Sequence, residues 1–351
     1  MGTWNGRILF VDGFAGPGEY QGGEPGSPII ALRAYKGHRA LGKITAEVVF
    51  HFIEADEKRA IHLARLVEKL KPELPEKCKV SVIPGTFDEN MTCTLEYLET
   101  QKKRMAPAFV MVDPFGVKGT PMSVIRGILQ NPRCEVYISF MYEAINRWKN
   151  APEFEEHLNA LFGCTQWRGG RDIGDANERK TFIYDLYEKQ LRDAGAKQVI
   201  RFELYEANRL VYAIFFATQD VTGSDRMKAA IWKADPTGNF RFRGTKSSQL
   251  ELGIDIGNFE PLMQALRDEF TSKGWIPIGT VLDFVSSDKT DYHRSQVKRN
   301  ALRALEIAGL LEADEDTRNK KRTYPNGTRI RILKKAPSKV KPRKKVTKKK
   351  K

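Results

Sequence analysis

Four turns, each directly behind an apolar run, hold the residues of this sequence that are equipped for chemistry. The first is Asp12-Gly13-Phe14-Ala15-Gly16-Pro17-Gly18, which follows Ile8-Leu9-Phe10-Val11. A buried parallel strand is apolar on both faces, and only glycine lets the turn at its carboxyl end bring backbone against a ligand without a Cβ clash. That is the layout of a nucleotide-type cofactor site, with Asp12, Phe14, Gly16 and Gly18 as its candidate residues. Gln21 stands where a nicotinamide or flavin fingerprint needs its third glycine, and no Gly-Lys-Ser or Gly-Lys-Thr follows to make a P-loop.

What remains is a ligand without phosphate, held by carboxylates and backbone groups. The Asp-x-x-x-Gly-x-Gly spacing resembles that of S-adenosylmethionine (SAM) methyltransferases, so SAM is the expected cofactor. The implied fold is an α/β, Rossmann-like class I methyltransferase sheet with helices on both faces. Glu54 ends the second apolar run, residues 48–53, and in an open sheet it lands beside the first turn, placed for two ribose hydroxyls. The alternative is an exposed acid that merely ends a strand. Asp88, behind the third run at 80–83, suits the adenine amino group or, equally, the N-cap of a helix over 89–102.

The fourth run, residues 108–112, leads into Asp113-Pro114-Phe115-Gly116. An exocyclic amine conjugated to a base is a poor nucleophile, so its hydrogens need oxygen acceptors that favour pyramidalisation while the lone pair attacks. Asp113 and the Pro114 carbonyl are such acceptors, proline stiffens the turn, and Phe115 offers a face on which a flipped base stacks. These three are the candidate catalytic residues. Alone, the same letters also describe a turn that caps a strand.

The remaining elements of this region follow from pattern. Ser27 as N-cap with Pro28 behind it starts a helix through Tyr35. The glycine-rich loop before it folds over the cofactor, touches the substrate, or is a plain surface excursion. A fifth strand spans 136–140, and Tyr142, Asn146, Arg147 and Trp148 lie on the helix after it. Residues 151–180 read as an insertion on the substrate side, followed by a helix over 182–194 and an antiparallel pair at 198–206 and 210–218. Residues 227–233 are helical, with Met227, Ile231 and Trp232 packing inward.

Beyond the polar stretch 235–248 the pattern changes to three helices, around Leu262, Leu266 and Phe270, over 281–285, and over 294–308 with Gly309 as C-cap. Runs at 310–312 and 329–333, the latter behind the turn signal Asn326-Gly327, complete the pattern of a winged helix. Its third helix would present Arg294, Gln296, Lys298, Arg299 and Arg303, and its wing Arg318, Lys320, Lys321 and Arg322, a density suited to phosphate contacts. The competing account is a protein-docking module with solvated charges.

With 351 residues the chain is expected to hold two folded units, a SAM-methyltransferase-like domain over 1–248 and a winged-helix-like domain over 249–333, with a lysine-rich tail over 334–351. Of the net charge of +15, the tail carries +11, so the body before it is only mildly basic. Such a tail cannot repay its ordering entropy and is expected to be disordered, as a salt-sensitive anchor for nucleic acid or a solubilising end. Cys78, Cys93, Cys134 and Cys164 show no metal or disulfide spacing and are expected to be buried thiols; no metal is implied. Without a bilayer-length apolar run or a signal-peptide layout, the expected location is cytoplasmic.

Taken together, the sequence resembles the TcmP family, the three-Cys-motif partner proteins of bacteria and phages. The segments that carry the resemblance are Val11 to Gly18, Gly26-Ser27-Pro28, Val112-Asp113-Pro114-Phe115-Gly116, Met227-Lys228-Ala229-Ala230-Ile231-Trp232, Gly309-Leu310-Leu311 and Thr323-Tyr324-Pro325. The resemblance implies a partner, a three-Cys protein similar to radical-SAM enzymes, and with it an alternative role as a non-catalytic subunit that binds nucleic acid. Relatives usually place a helical segment ahead of the first strand, whereas here that strand opens at Ile8. Asp113 and Phe115 also match the Asp-Pro-Phe-Gly motif of tRNA guanine-N2 dimethyltransferases. The Asp/Asn-Pro-Pro-Tyr form of adenine-N6 enzymes is matched only at Asp113 and Pro114.

Overall fold

The computed structural model describes residues 5–206, 209–234, 241–243 and 258–334. The chain divides into two compact units, Met1–Asp255 and Ile256–Lys351. From residue 335 on, the lysine-rich tail lies outside the described residues, as does most of the polar stretch 235–248.

In the first unit strands and helices alternate: β1 (Arg7–Asp12), α1 (Ser27–Lys36), β2 (Glu47–Glu54), α2 (Glu57–Leu70), β3 (Cys78–Pro84), α3 (Phe87–Thr100), β4 (Ala108–Val112), α4 (Met122–Leu129) and β5 (Cys134–Phe140). Strands β2 and β5 are buried almost throughout, as expected of parallel strands covered on both faces. Next come α5 (Tyr142–Trp148), α6 (Glu155–Phe162), α7 (Ala176–Asp193), β6 (Gln198–Glu206), β7 (Arg209–Thr218), α8 (Val221–Ala234) and β8 (Arg241–Arg243). The described strands form one mixed sheet in the order β3-β2-β1-β4-β5-β7-β6-β8. From β3 to β5 all pairings are parallel, and β7 enters antiparallel between β5 and β6. The chain thus runs outward from β1 to β3 and then crosses back to β4. The carboxyl ends of β1 and β4 flank the switch point at which open α/β sheets bind ligands.

Both faces are packed. Leu32 of α1 and Leu63 of α2 cluster with Phe50 and Phe52 on one side, while α3, α4, α6 and α7 bury Val110, Ile125, Val136 and Tyr187 on the other. Several elements differ in detail from expectation. Gly26, not Ser27, is the N-cap of α1, because the Ser27 hydroxyl donates to Asp12 instead. Thr86 caps α3, which leaves Asp88 in the first helical turn. Helix α7 begins at Ala176, before the expected 182, since Asp175 accepts from the backbone N–H groups of Asn177 and Glu178. Much of the 151–180 insertion is therefore helical. On α8 the inward face holds Lys228 with Ile231 and Trp232, and Met227 is only half-buried. Of the four free cysteines Cys134 alone is buried, and Cys93 lies on the exposed side of α3.

The second unit contains α9 (Glu260–Phe270), β9 (Ile276–Pro277), α10 (Ile278–Ser286), α11 (Arg294–Gln296), a π-helical turn (Val297–Leu302), α12 (Arg303–Ile307), β10 (Leu311–Ala313) and β11 (Arg329–Ile332). Its strands pair antiparallel in the order β10-β11-β9. Leu262, Leu266, Phe270, Val281, Val297 and Ile330 are buried. Two residues expected on the basic surface serve the fold instead. Gln296 is buried and closes a capping box with His293, since an orphan helical N–H outcompetes solvent for its amide oxygen. Arg318, 7% exposed, holds both Glu306 oxygens at 2.9 and 2.8 Å and Glu315 at 2.6 Å. Alanine at Arg318 is therefore expected to destabilise this unit by about 3 kcal/mol, because Glu306 keeps its charge and loses its fork-shaped partner. Urea melts of R318A beside the surface control K320A, expected within about 0.5 kcal/mol of the parent, measure the difference.

Candidate active site

Strand β1 delivers Asp12 to the sheet edge with no exposed surface. One carboxylate oxygen accepts from Phe14 N–H at 3.2 Å and the other from the Ser27 hydroxyl at 2.6 Å. Burial pushes the carboxyl up to about 6, the charges of Asp113 and Glu54 adding to the rise and the two hydrogen bonds opposing it. A nearby positive charge would therefore favour the ionised form of Asp12.

The turn behind it is tied to neighbouring strands. Gly13 N–H donates to the Met111 carbonyl and Ala15 N–H to the Ile53 carbonyl, each at 2.9 Å. A Cβ on Gly13 would sit 2.4 Å from the Phe87 ring, so the first turn and the start of α3 can close up only around glycine. Gly16 takes a left-handed conformation, φ 62°, with open space where a side chain would project. Its N–H donates to Glu54 Oε2 at 2.7 Å, and Glu54 Oε1 accepts from Asp56 N–H at 2.9 Å. The acid that ends β2 thus staples the first turn to its own loop.

A cleft of about 890 Å³ opens along this carboxyl edge. Phe14 lines it from β1, Glu54 from β2, Asp88 from the first turn of α3 and Phe115 from the turn after β4. Phe115 is 86% exposed, an unusual state for a large aromatic side chain. Past β5, Trp148 and Phe154 stack with centroids 4.4 Å apart and planes 14° apart, and the Lys118 ammonium lies 5.4 Å above the Phe154 ring. Arg147 and His157 line the same end, so the insertion does contribute to the cleft, through Phe154 and His157.

Other candidates lie elsewhere. Gly16, Gly18 and Asp12 form the turn beneath the cleft and are not among its lining residues. Asp113 is exposed and Pro114 buried, and neither lines the cleft. The Asp113 charge is felt by a tyrosine pair as well as by Asp12. Burial, its neighbour Tyr212 and the Asp113 charge push the Tyr137 phenol up, and burial followed by Asp113 pushes Tyr212 up to about 12. Sequence reasoning missed this pair, along with Phe87 and the Ser27–Asp12 bond. Only the alternation of β5 and β7 could have pointed to the tyrosines. Among the described residues no cluster of His, Cys, Asp or Glu could hold a metal ion, and no helix is long and apolar enough to cross a membrane.

No protein-family model matches this sequence, and no curated protein matches it. Solved structures align with part of it. Trm1 from Pyrococcus horikoshii with S-adenosyl-L-methionine is 12% identical over 63% of this chain and 53% of its own, with a TM-score of 0.32. An O-methyltransferase from Bacillus cereus in complex with SAH is 13% identical over 61% of this chain and 74% of its own, TM-score 0.30. A putative methyltransferase from Porphyromonas gingivalis is 11% identical, TM-score 0.29, and the match spans 60% of this chain but only 37% of that one. At such values the fold rests on the order and direction of the strands themselves.

Proposed function

We propose that the first unit is a SAM-dependent amino-methyltransferase that acts on nucleic acid, with the exocyclic amine of guanine or adenine as its target. One observation carries the reading: Glu54, Asp88 and Phe115, borne behind consecutive strands of one sheet, line a single cleft beside the turn that holds Asp12. The residues suit the cofactor, because a buried acid with a raised pKa and an open, left-handed glycine turn together welcome a cationic, phosphate-free ligand. When bound, SAM supplies an electrophilic methyl group on a sulfonium. Asp12, Gly16 and Gly18 shape the methionine end, Glu54 accepts from the ribose hydroxyls through its remaining lone pairs, and Asp88 accepts from the adenine amine. Asp113 and the Pro114 carbonyl accept the two N–H bonds of the target amine and leave its lone pair on nitrogen. As that pair takes the methyl group, whose bond to sulfur breaks, the nitrogen would shed one proton to solvent, while Phe115 would hold the base by stacking. Calorimetric titration with SAM and with its demethylated product tests the site; no heat from either removes the reading.

The raised pKa of Asp12 sets a pH dependence. In the free protein Asp12 ionises near pH 6 rather than 3.8, and the cofactor's sulfonium and ammonium charges favour the carboxylate, so its pKa falls on binding. Affinity is expected to be full above about pH 6 and to fall by up to about tenfold per pH unit below it, until the complex itself takes up the proton. Dissociation constants measured from about pH 5 to 8 should show this slope in the parent and lose it in D12N. A flat parent profile contradicts the role given to Asp12.

The second unit is read as a winged helix on its element order, with Arg294, Lys298, Arg299 and Arg303 along α11, the π-helical turn and α12, and the exposed Lys320, Lys321 and Arg322 before β11, as phosphate contacts. Replacing Lys320, Lys321 and Arg322 together by alanine is expected to lower the slope of log affinity against log salt by about 3. Fluorescence anisotropy over a salt series reads it directly, and an unchanged slope assigns these charges to solvent.

A second reading rests on Asp113 lying outside the cleft lining. The chain would then be a methyltransferase-fold subunit of the kind the TcmP resemblance implies, delivering nucleic acid to a three-Cys, radical-SAM-like protein. Methyl transfer by the isolated chain rules it out.

A further inference from the structure

Strand β5 places a carboxylate where a core residue is expected. Phe109 pairs with Glu135, and Tyr137 with Phe216, so these side chains share one face of the sheet. Glu135 is 9% exposed, and burial holds its carboxyl above the ordinary range. Among the described residues its hydrogen-bond partner is the Thr218 hydroxyl, which donates to Oε1 at 3.0 Å and leaves Oε2 without one. Oε2 keeps some exposed surface and is open to a donor from a ligand.

Glu135 opens into a cleft of about 720 Å³ under α8. Phe109 and Glu135 are each the second residue of their strand, so this cleft lies at the amino edge of the parallel strands, opposite the cofactor cleft. At its base lies the half-buried Phe109, stacked on the buried Phe216 with centroids 6.2 Å apart and planes at 25°. Met227 and Ala230 of α8 make an apolar wall, and Arg133 and Arg226 stand at the rim. Gly223 lets α8 pack closely against Glu135, since a Cβ there would come within 2.0 Å of Oε1, which leaves Oε2 as the oxygen for a ligand.

We propose that this cleft is a second ligand site, for a guanine nucleotide. The exposed edge of Phe109 and the Met227 side chain give a planar base apolar contact. A carboxylate accepts in its own plane from two adjacent N–H groups, which guanine supplies from its ring N1 and its exocyclic amine; adenine puts an acceptor where the first of these donors should be. The rim arginines suit a phosphate. The site shares no lining residue with the cofactor cleft, and the inference stands whether or not the chain transfers methyl groups.

Calorimetric titration of the full chain with guanosine and adenosine monophosphates, with and without S-adenosylhomocysteine, tests the site. Guanosine monophosphate should bind at least about tenfold more tightly than the adenosine form, and E135Q should weaken it by about tenfold or more. R226A, at an exposed rim position, should weaken the monophosphate and leave guanosine itself unaffected, which keeps the test standing if E135Q does not fold. A single-stranded oligonucleotide containing guanine should displace the monophosphate if the source is a strand, and should fail to do so if it is the free nucleotide. Equal affinity for the two monophosphates, indifference of the folded E135Q and R226A variants, or competition by S-adenosylhomocysteine overturns the proposal.

Discussion

Alanine at Asp113 is expected to slow methyl transfer by about 10² to 10³-fold while cofactor affinity stays within about twofold. The asymmetry follows from where Asp113 sits. It is exposed, outside the lining of the cleft that Glu54 and Asp88 share, and its charge is felt by Asp12, Tyr137 and Tyr212. On the proposed reading, a residue so placed serves the target amine rather than the cofactor. Asparagine keeps an oxygen acceptor and gives up the charge, so D113N should retain much of the rate that D113A loses, within about tenfold of the parent. The contrast separates orientation of the amine from simple basicity. Single-turnover transfer from labelled cofactor measures the rate, and calorimetry with S-adenosylhomocysteine measures the affinity. The reading fails if D113A transfers methyl at the parent rate, or if its affinity falls while its rate does not. The tyrosine pair offers an independent signal: without the Asp113 charge, the Tyr212 phenol should titrate below its present value of about 12.

The carboxyl edge was legible because two local constraints coincide there. A run that is apolar on both faces must be a buried strand, and a residue directly behind it must stand on the sheet edge, so Asp12, Glu54 and the turn after β4 could be placed from spacing alone. Direction within that edge was not legible. Phe115 lines the cleft and Asp113 does not, while the Asp113 charge is felt by Asp12 and by Tyr137 and Tyr212, which arrive from β5 and β7. Ser27 carried a correct helix-start signal with the wrong partner, because a buried acid attracts a hydroxyl more strongly than a helix end does. In the second unit Arg318 and Gln296 looked like surface letters, and only the fold shows Glu306 and His293 claiming them. Basic residues in a charged segment divide between solvent and ion pair by tertiary contact, which spacing does not encode. Glu135 went unread because a single acid in an apolar run gives no sign of what lies above the sheet.

Glutamine at Glu54 is expected to cost the cofactor site about 2 to 4 kcal/mol, roughly 30- to 1,000-fold in affinity. Two losses combine. The carboxylate now accepts Gly16 N–H at 2.7 Å and Asp56 N–H at 2.9 Å, one on each oxygen. An amide can accept only on its oxygen, so its NH₂ group must face one of these donors, and either the glycine turn or the loop after β2 gives way. The charged acceptors offered to the ribose hydroxyls disappear as well. The first loss also lowers the stability of the ligand-free protein, by about 1 to 3 kcal/mol for a backbone donor left unsatisfied, whereas the second acts on binding alone. Thermal melts of E54Q without ligand, set beside calorimetric affinities for S-adenosylhomocysteine, therefore divide the effect between the turn and the ribose. If E54Q melts early and still binds with parental affinity, Glu54 is a structural staple, and the ribose contact must be sought elsewhere along the cleft.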